Sequence, residues 1–150
     1  MDDHSNTDSV GYWDHVASEK TFTHDIDMER FQRRVPLTSR VVDVGCGYGR
    51  VVSELTLGGY SSVIGFDHSA AMVARGREAD RDLDLRVAHG AQLPLEDQSA
   101  DAVLLLAVLT CIPADAAQED LVREIQRVLR PGGALFVTDV WLQDDARNVE

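Results

Sequence analysis

The residues of this chain with the clearest chemical use are three glycines and two aspartates. Val41-Val42-Asp43-Val44 runs directly into Gly45-Cys46-Gly47-Tyr48-Gly49. Glycines at alternate positions let the backbone approach a ligand closely and take positive φ without a Cβ clash. Asp67 stands 22 residues beyond Gly45, where a carboxylate ending a second strand would face two ribose hydroxyls. This set suits an adenosine-containing cofactor. Which one turns on position 50. A dinucleotide turn needs its third glycine there, because the helix must lie close to the strand while the turn holds a pyrophosphate. Arg50 would crowd that packing and argues against an NAD-dependent oxidoreductase. The spacing G-x-G-x-G leaves room instead for a compact zwitterionic amino-acid tail.

The other reactive side chains read more plainly. Cys46 lies inside the glycine turn, where a small side chain fits, and Cys111 is expected as a buried small hydrophobe. His4, His15, His24, His68 and His89 show no metal-ligand spacing, and the chain has no C-x-x-C. No metal is therefore expected.

Short apolar runs alternating with amphipathic ones have to position these groups. Arg40 to Val44 is β-branched and brief, hence strand 1, and Arg50 to Leu57 is a helix closed by Gly58-Gly59. Ser62 to Phe66 is strand 2, and Ser69 can N-cap a helix from Ala70 to about Ala79. Leu85 to Ala88 is strand 3. Ala102 to Val108, almost wholly apolar, is a central parallel strand covered on both faces. Asp115 with Gln118 resembles a capping box for a helix carrying Leu121, Val122, Ile125, Val128 and Leu129, stopped by Arg130-Pro131-Gly132-Gly133. Ala134 to Trp141 is strand 5. The alternation predicts an α/β, Rossmann-like doubly wound parallel sheet of five strands in the order 3-2-1-4-5. Ligands then bind outside the carboxyl ends of the strands. Residues 1–8 are expected to be a disordered tail, 9–35 a helical cap and 36–150 the core of a single domain.

Composition narrows the partners. With 150 residues, 14 Lys+Arg against 26 Asp+Glu and a formal charge of −12, the chain repels phosphate backbones and anionic membrane faces. No apolar run reaches the roughly 18 residues that span a bilayer. The N-terminus lacks the basic and apolar regions of a secretory signal. A cytoplasmic protein with free thiols, no membrane partner and no nucleic-acid partner is expected.

With these blocks in order, the chain resembles the class I S-adenosylmethionine (SAM)-dependent methyltransferases, close to the type-11, small-molecule group, from about Tyr12 to Trp141. The resemblance implies that Asp43, Gly45, Cys46, Gly47 and Gly49 form the loop against the methionine end of the cofactor. Asp67 would grip the ribose hydroxyls, and His68 and Met72 would flank the adenine. The segment from Arg86 to Leu95 resembles the loop that meets the adenine amino group. There His89 replaces the usual Asp, and Gly90 and Ala91 offer backbone. Ala107 would complete the cofactor-binding set. Tyr12 would touch the methionine end, and His24 would face the substrate. S-adenosylhomocysteine (SAH) is the implied product, and the implied acceptor is an O, N or C nucleophile of a small molecule. A SAM-binding or interaction module without catalysis is the alternative. Relatives continue past strand 5 into a helix and an antiparallel hairpin, and against them this sequence is expected to be either a fragment or an abbreviated domain. Strand 5 is then expected to have an open edge, a template for homodimer pairing.

Overall fold

The computed structural model describes residues 4–23 and 25–139, with side chains from Val10 onward. In chain order the elements are helices α1 (His4–Val16) and α2 (Met28–Arg34), then β1 (Arg40–Val44), α3 (Arg50–Leu57), β2 (Ser62–Asp67), α4 (Ala70–Ala79), β3 (Asp84–Val87), β4 (Ala100–Leu106), a 3-10 turn (Leu109–Cys111), α5 (Asp115–Val128) and β5 (Leu129–Thr138). The sheet has the order β3-β2-β1-β4-β5. Every pairing is parallel, with Val42 opposite both Ile64 and Val103. This is the doubly wound architecture expected from the alternation of apolar runs.

The strand period of two sends β1 side chains to opposite faces. Val41 joins Phe31, Val51, Leu55, Tyr60, Ala102 and Leu104 in the core beneath α2 and α3. Val42 and Val44 join Ile64, Phe66, Val103, Leu105, Leu121 and Ile125 beneath α5. Both faces are dry, which explains why β4 reads as a continuous apolar run. Each fully buried large side chain such as Phe31 or Leu105 contributes on the order of 2 kcal/mol of transfer free energy.

Several boundaries differ from expectation, each for a local reason. Helix α1 begins at His4, inside the segment expected to be a disordered tail. Strand β4 ends at Leu106 because Ala107 turns to φ +54°. Strand β5 starts at Leu129, immediately after α5, and absorbs Arg130 to Gly133 as an irregularity opposite Ala100 and Ala102. The anticipated capping box does not form. Ala114 is the N-cap of α5 and makes no side-chain cap. Gln118 donates instead to the carbonyls of Leu109 and Ile112 at 3.0 and 2.7 Å, tying α5 to the turn after β4. The Ser69 cap does form: its hydroxyl accepts from the Met72 amide at 3.1 Å. Trp141, Asp144 and Asp145 lie outside the described residues.

Helix α4 sits unusually close to the glycine turn. A Cβ at Gly76 would meet both the Tyr48 carbonyl oxygen and a Leu85 methyl at 2.4 Å. Position 76 therefore accepts nothing larger without moving α4 away from the loop it buttresses.

Candidate functional site

The carboxyl ends of β1, β2 and β4 open into a cleft of about 470 Å³, within the size range of small-molecule sites. Its floor is the turn after β1. Gly45, Gly47 and Gly49 have φ of +74°, +56° and +82°, and the amides of Gly45 and Cys46 donate to the Phe66 carbonyl at 2.8 and 3.0 Å. The turn is thus pinned to β2. A Cβ at Gly47 would come within 2.6 Å of the Phe22 ring, so only glycine leaves room for the overlying strap.

Asp67 ends β2 against this turn. One oxygen accepts from the Gly47 amide at 2.7 Å and the other from the Ser69 amide at 2.9 Å. Each carboxylate oxygen has two lone pairs, so Asp67 can still accept from two hydroxyls of a ligand. Behind it lies Asp43, 3% exposed. Burial, and secondly the charge of Asp67, push its carboxyl up to about 7, with Arg50 only partly offsetting them. Burial likewise drives the Cys46 thiol well above its ordinary range. A thiol held protonated is inert, which fits the expectation of Cys46 as a small filler of the turn.

The strap over the cleft is residues 17–23, which have no regular secondary structure. Side chains from the core hold it down. Arg75 of α4 donates to the carbonyls of Ala17 and Lys20 at 2.8 and 2.7 Å. Its guanidinium lies 4.0 Å over the Tyr48 ring. Tyr48 stacks on Phe22 at 5.3 Å and accepts from the Phe22 amide at 3.2 Å. Phe22 meets Trp13 at 5.9 Å. Asp14 of α1 accepts from the Ser69 hydroxyl, and from the Ala71 amide at 3.2 Å. The Ser69 hydrogen bond, the leading cause, holds the Asp14 carboxyl below its usual range.

Of the residues singled out in the sequence, Asp43, Gly45, Cys46, Gly47, Asp67, His68, Met72, Gly90 and Ala107 line the cleft. Gly49 does not; it caps α3 with left-handed geometry. His89 is exposed and, like Ala91, is not among the residues that line the cleft. Tyr12 is 52% exposed with its ring edge-on to Trp13 at 5.0 Å. Trp13, not Tyr12, reaches the cleft. His24 lies outside the described residues. The sequence alone did not single out Lys20, Thr21, Thr23 and Val108 as wall residues. For Lys20 a signal existed: it is the chain's only lysine. No cluster of three metal-ligating side chains and no helix long and apolar enough to cross a membrane occurs among the described residues.

Comparison with known proteins bears on this geometry. A family model described as a methyltransferase domain matches residues 42–137. The demethylmenaquinone methyltransferase of Beutenbergia cavernae is 34% identical over 143 residues, covering 88% of this chain and 58% of that one. A tRNA (carboxymethyluridine(34)-5-O)-methyltransferase of Arabidopsis thaliana is 30% identical over 111 residues, covering 74% of this chain and 26% of that one. A solved SAM-dependent methyltransferase from Methanosarcina mazei superimposes with a TM-score of 0.71 at 25% identity, over 77% of this chain and 57% of that one. The chain spans about half the length of the curated relatives it matches.

Proposed function

Because the chain belongs to the methyltransferase-domain family of class I SAM-dependent proteins, we propose that it binds SAM in the cleft after β1, β2 and β4 and methylates an O, N or C atom of a small molecule. One observation carries this: the Asp67 carboxylate and the Gly47 amide meet at 2.7 Å on the cleft floor, beneath a wall that is aromatic on one side and aliphatic on the other.

The residues present fit the cofactor. Asp67 retains acceptor capacity for the two ribose hydroxyls. Phe66, Met72 and Leu93 supply an apolar flank for a flat base, and Gly90 supplies backbone beside it. The glycine turn leaves no side chain between its backbone and the amino-acid tail. The carboxyls of Asp43 and Asp67 favour a ligand that carries positive charge. When bound, SAM supplies a methyl group activated by its sulfonium. The work left to the protein is orientation and exclusion of water, which can account for much of a barrier reduction. Trp13 at the end of α1 and Phe22 on the strap, with Val108 and Ile112 on the far wall, do this by walling the cleft with apolar surface.

A small acceptor is favoured over tRNA by the charge of −12, which opposes sequence-independent phosphate contacts. The test is calorimetric titration with SAH and NAD, followed by transfer of labelled methyl from SAM to small phenols, amines and bulk tRNA. Binding of SAH but not NAD, with label on a small molecule, is expected. Binding of NAD, or label on tRNA alone, would overturn it.

The open edge of β5 supports a further part of this proposal, pairing of two copies. Strand β5 ends the sheet among the described residues, and Leu135 and Val137 on one of its faces are 40% and 48% exposed. An unpaired strand with exposed apolar side chains is a template for another chain. Light scattering is expected to show a dimer at high concentration, and a strictly monomeric species would count against it.

A further inference from the structure

The strap brings one cation into the cleft that the cofactor does not need. Lys20 is half-buried and lines the cleft, with its ammonium 5.8 Å from the centre of the Trp13 ring. Among the described residues no carboxylate lies within ion-pair distance of it. Half-burying an ammonium without an anion costs desolvation, and the edge of a cation–π contact recovers only part of that. In a chain with 13 arginines and a single lysine, a cation placed on the inner side of the strap calls for an anion from outside.

Its position in the cleft decides which anion. The wall facing the strap is the segment after β4, with Thr110, Cys111 and Ile112. The Cys111 thiol is raised chiefly by burial, and the Lys20 charge is among the influences that oppose the rise. Asp43, on the cofactor floor, answers instead to burial, Asp67 and Arg50. The Lys20 charge therefore reaches the wall around Cys111, where the carboxylates of Asp139 and Asp67 are also felt, and Lys20 is the one cation among those influences. The floor carboxylates Asp43 and Asp67 would repel an anionic acceptor, and a local positive charge is what lets one enter. Trp13 beside the ammonium, with Phe22 tilted against it at 5.9 Å, offers aromatic surface to a flat apolar body.

We propose that Lys20 is a specificity-determining residue that holds an anionic oxygen of the methyl acceptor, so that the acceptor is a planar apolar molecule bearing a carboxylate or similar oxyanion. This rests on the reading of the cleft as a SAM site.

The experiment uses the whole chain saturated with SAH and a matched pair of probes, 2-naphthoate and 2-naphthamide, which share a shape and differ in charge. By calorimetry the acid is expected to bind about tenfold more tightly than the amide, the effect of one charge-assisted hydrogen bond. Lys20→Met is expected to abolish that preference and Lys20→Arg to restore most of it, with SAH affinity unchanged in both. Equal binding of the two probes by the unaltered chain, or a preference that survives Lys20→Met, would overturn the proposal. So would weakened SAH binding in Lys20→Met with unchanged binding of methylthioadenosine, which lacks the amino-acid tail. That outcome would assign the ammonium to the cofactor's carboxylate. Failure of SAH to bind the unaltered chain would overturn the cofactor reading itself, and is distinguishable because it precedes every probe measurement.

Discussion

Replacing Asp67 by Asn is expected to weaken SAH binding by about 100-fold or more. The carboxylate has four lone-pair positions, and the Gly47 and Ser69 amides occupy two of them. The remaining two are what a ribose diol requires. Each hydrogen bond to a charged group contributes about 1.5–3 kcal/mol, so loss of one and inversion of the other to an amide N–H facing a donor comes to roughly 3 kcal/mol, or two decades of affinity. The substitution also disturbs the fold, because an amide cannot accept on both sides from Gly47 and Ser69. Part of any loss would then come from a loosened turn. A ligand-side control separates the two causes. SAH with a 2′,3′-dideoxyribose is expected to bind poorly to the unaltered chain and to lose on Asp67→Asn only the smaller factor that the loosened turn costs. If the variant instead loses the same factor against both ligands, Asp67 acts only by holding the turn, and the ribose assignment fails.

How much of this site could be read from the sequence depends on whether a residue's place is fixed locally. Gly45, Gly47 and Asp67 were legible as neighbours in one cleft because β1 and β2 are bounded by their own turn residues, and parallel strands joined by α3 fall side by side under the right-handed crossover rule. Ser69 was legible because a cap is satisfied within three residues of chain. The exposure of His89 was not legible, because it follows from the course of the loop before Gly90, at φ +68°, and not from any local pattern. Ala107 lines the cleft as the family resemblance implied, but the end of β4 there was not legible, since nothing in an apolar run announces a left-handed alanine. That geometry is a local strain of the kind that collects at functional sites. The capping box failed for a different reason. Gln118 had two carbonyls within reach across the fold, and these outcompeted the local partner.

The strap was the least legible part. Residues 17–23 have neither strand nor helix period, and their course over the cleft is set by Arg75 and Tyr48, 26 or more residues further along the chain. A guanidinium gripping two carbonyls leaves no mark in the sequence of the segment it holds. Which of the neighbours Tyr12 and Trp13 faces inward was equally hidden, because on α1 a rotation of one residue decides it. The solitary lysine was visible in the composition, but its meaning required knowing that the strap turns it into the cleft beside Trp13.

Asp43→Asn is expected to move stability and cofactor binding in opposite directions. The folded-state carboxyl titrates near 7, against an ordinary value of 3.8. Because the folded value is raised, the folded chain binds more protons than the unfolded chain between these pH values. The favourable contribution is therefore fully present below about pH 4 and is lost as pH rises through 7. The ceiling on that loss is about 4 kcal/mol at 1.36 kcal/mol per unit. An asparagine has no charge to bury. The variant is expected to be more stable than the parent at pH 8 by about 1–3 kcal/mol, with the difference shrinking toward pH 4 in denaturant titrations. Binding shows the other side of the same charge. A ligand ammonium entering the cleft favours the ionised carboxyl, so near pH 7 the parent is expected to release a fraction of a proton when SAH binds. Calorimetry in two buffers of different ionisation enthalpy reads this directly. The variant is expected to release none and to bind SAH about tenfold more weakly at pH 8, the loss of a single favourable charge interaction. If the variant is less stable than the parent at pH 8, Asp43 is an ion well satisfied by its surroundings, and it is not a charge held ready for a cationic ligand.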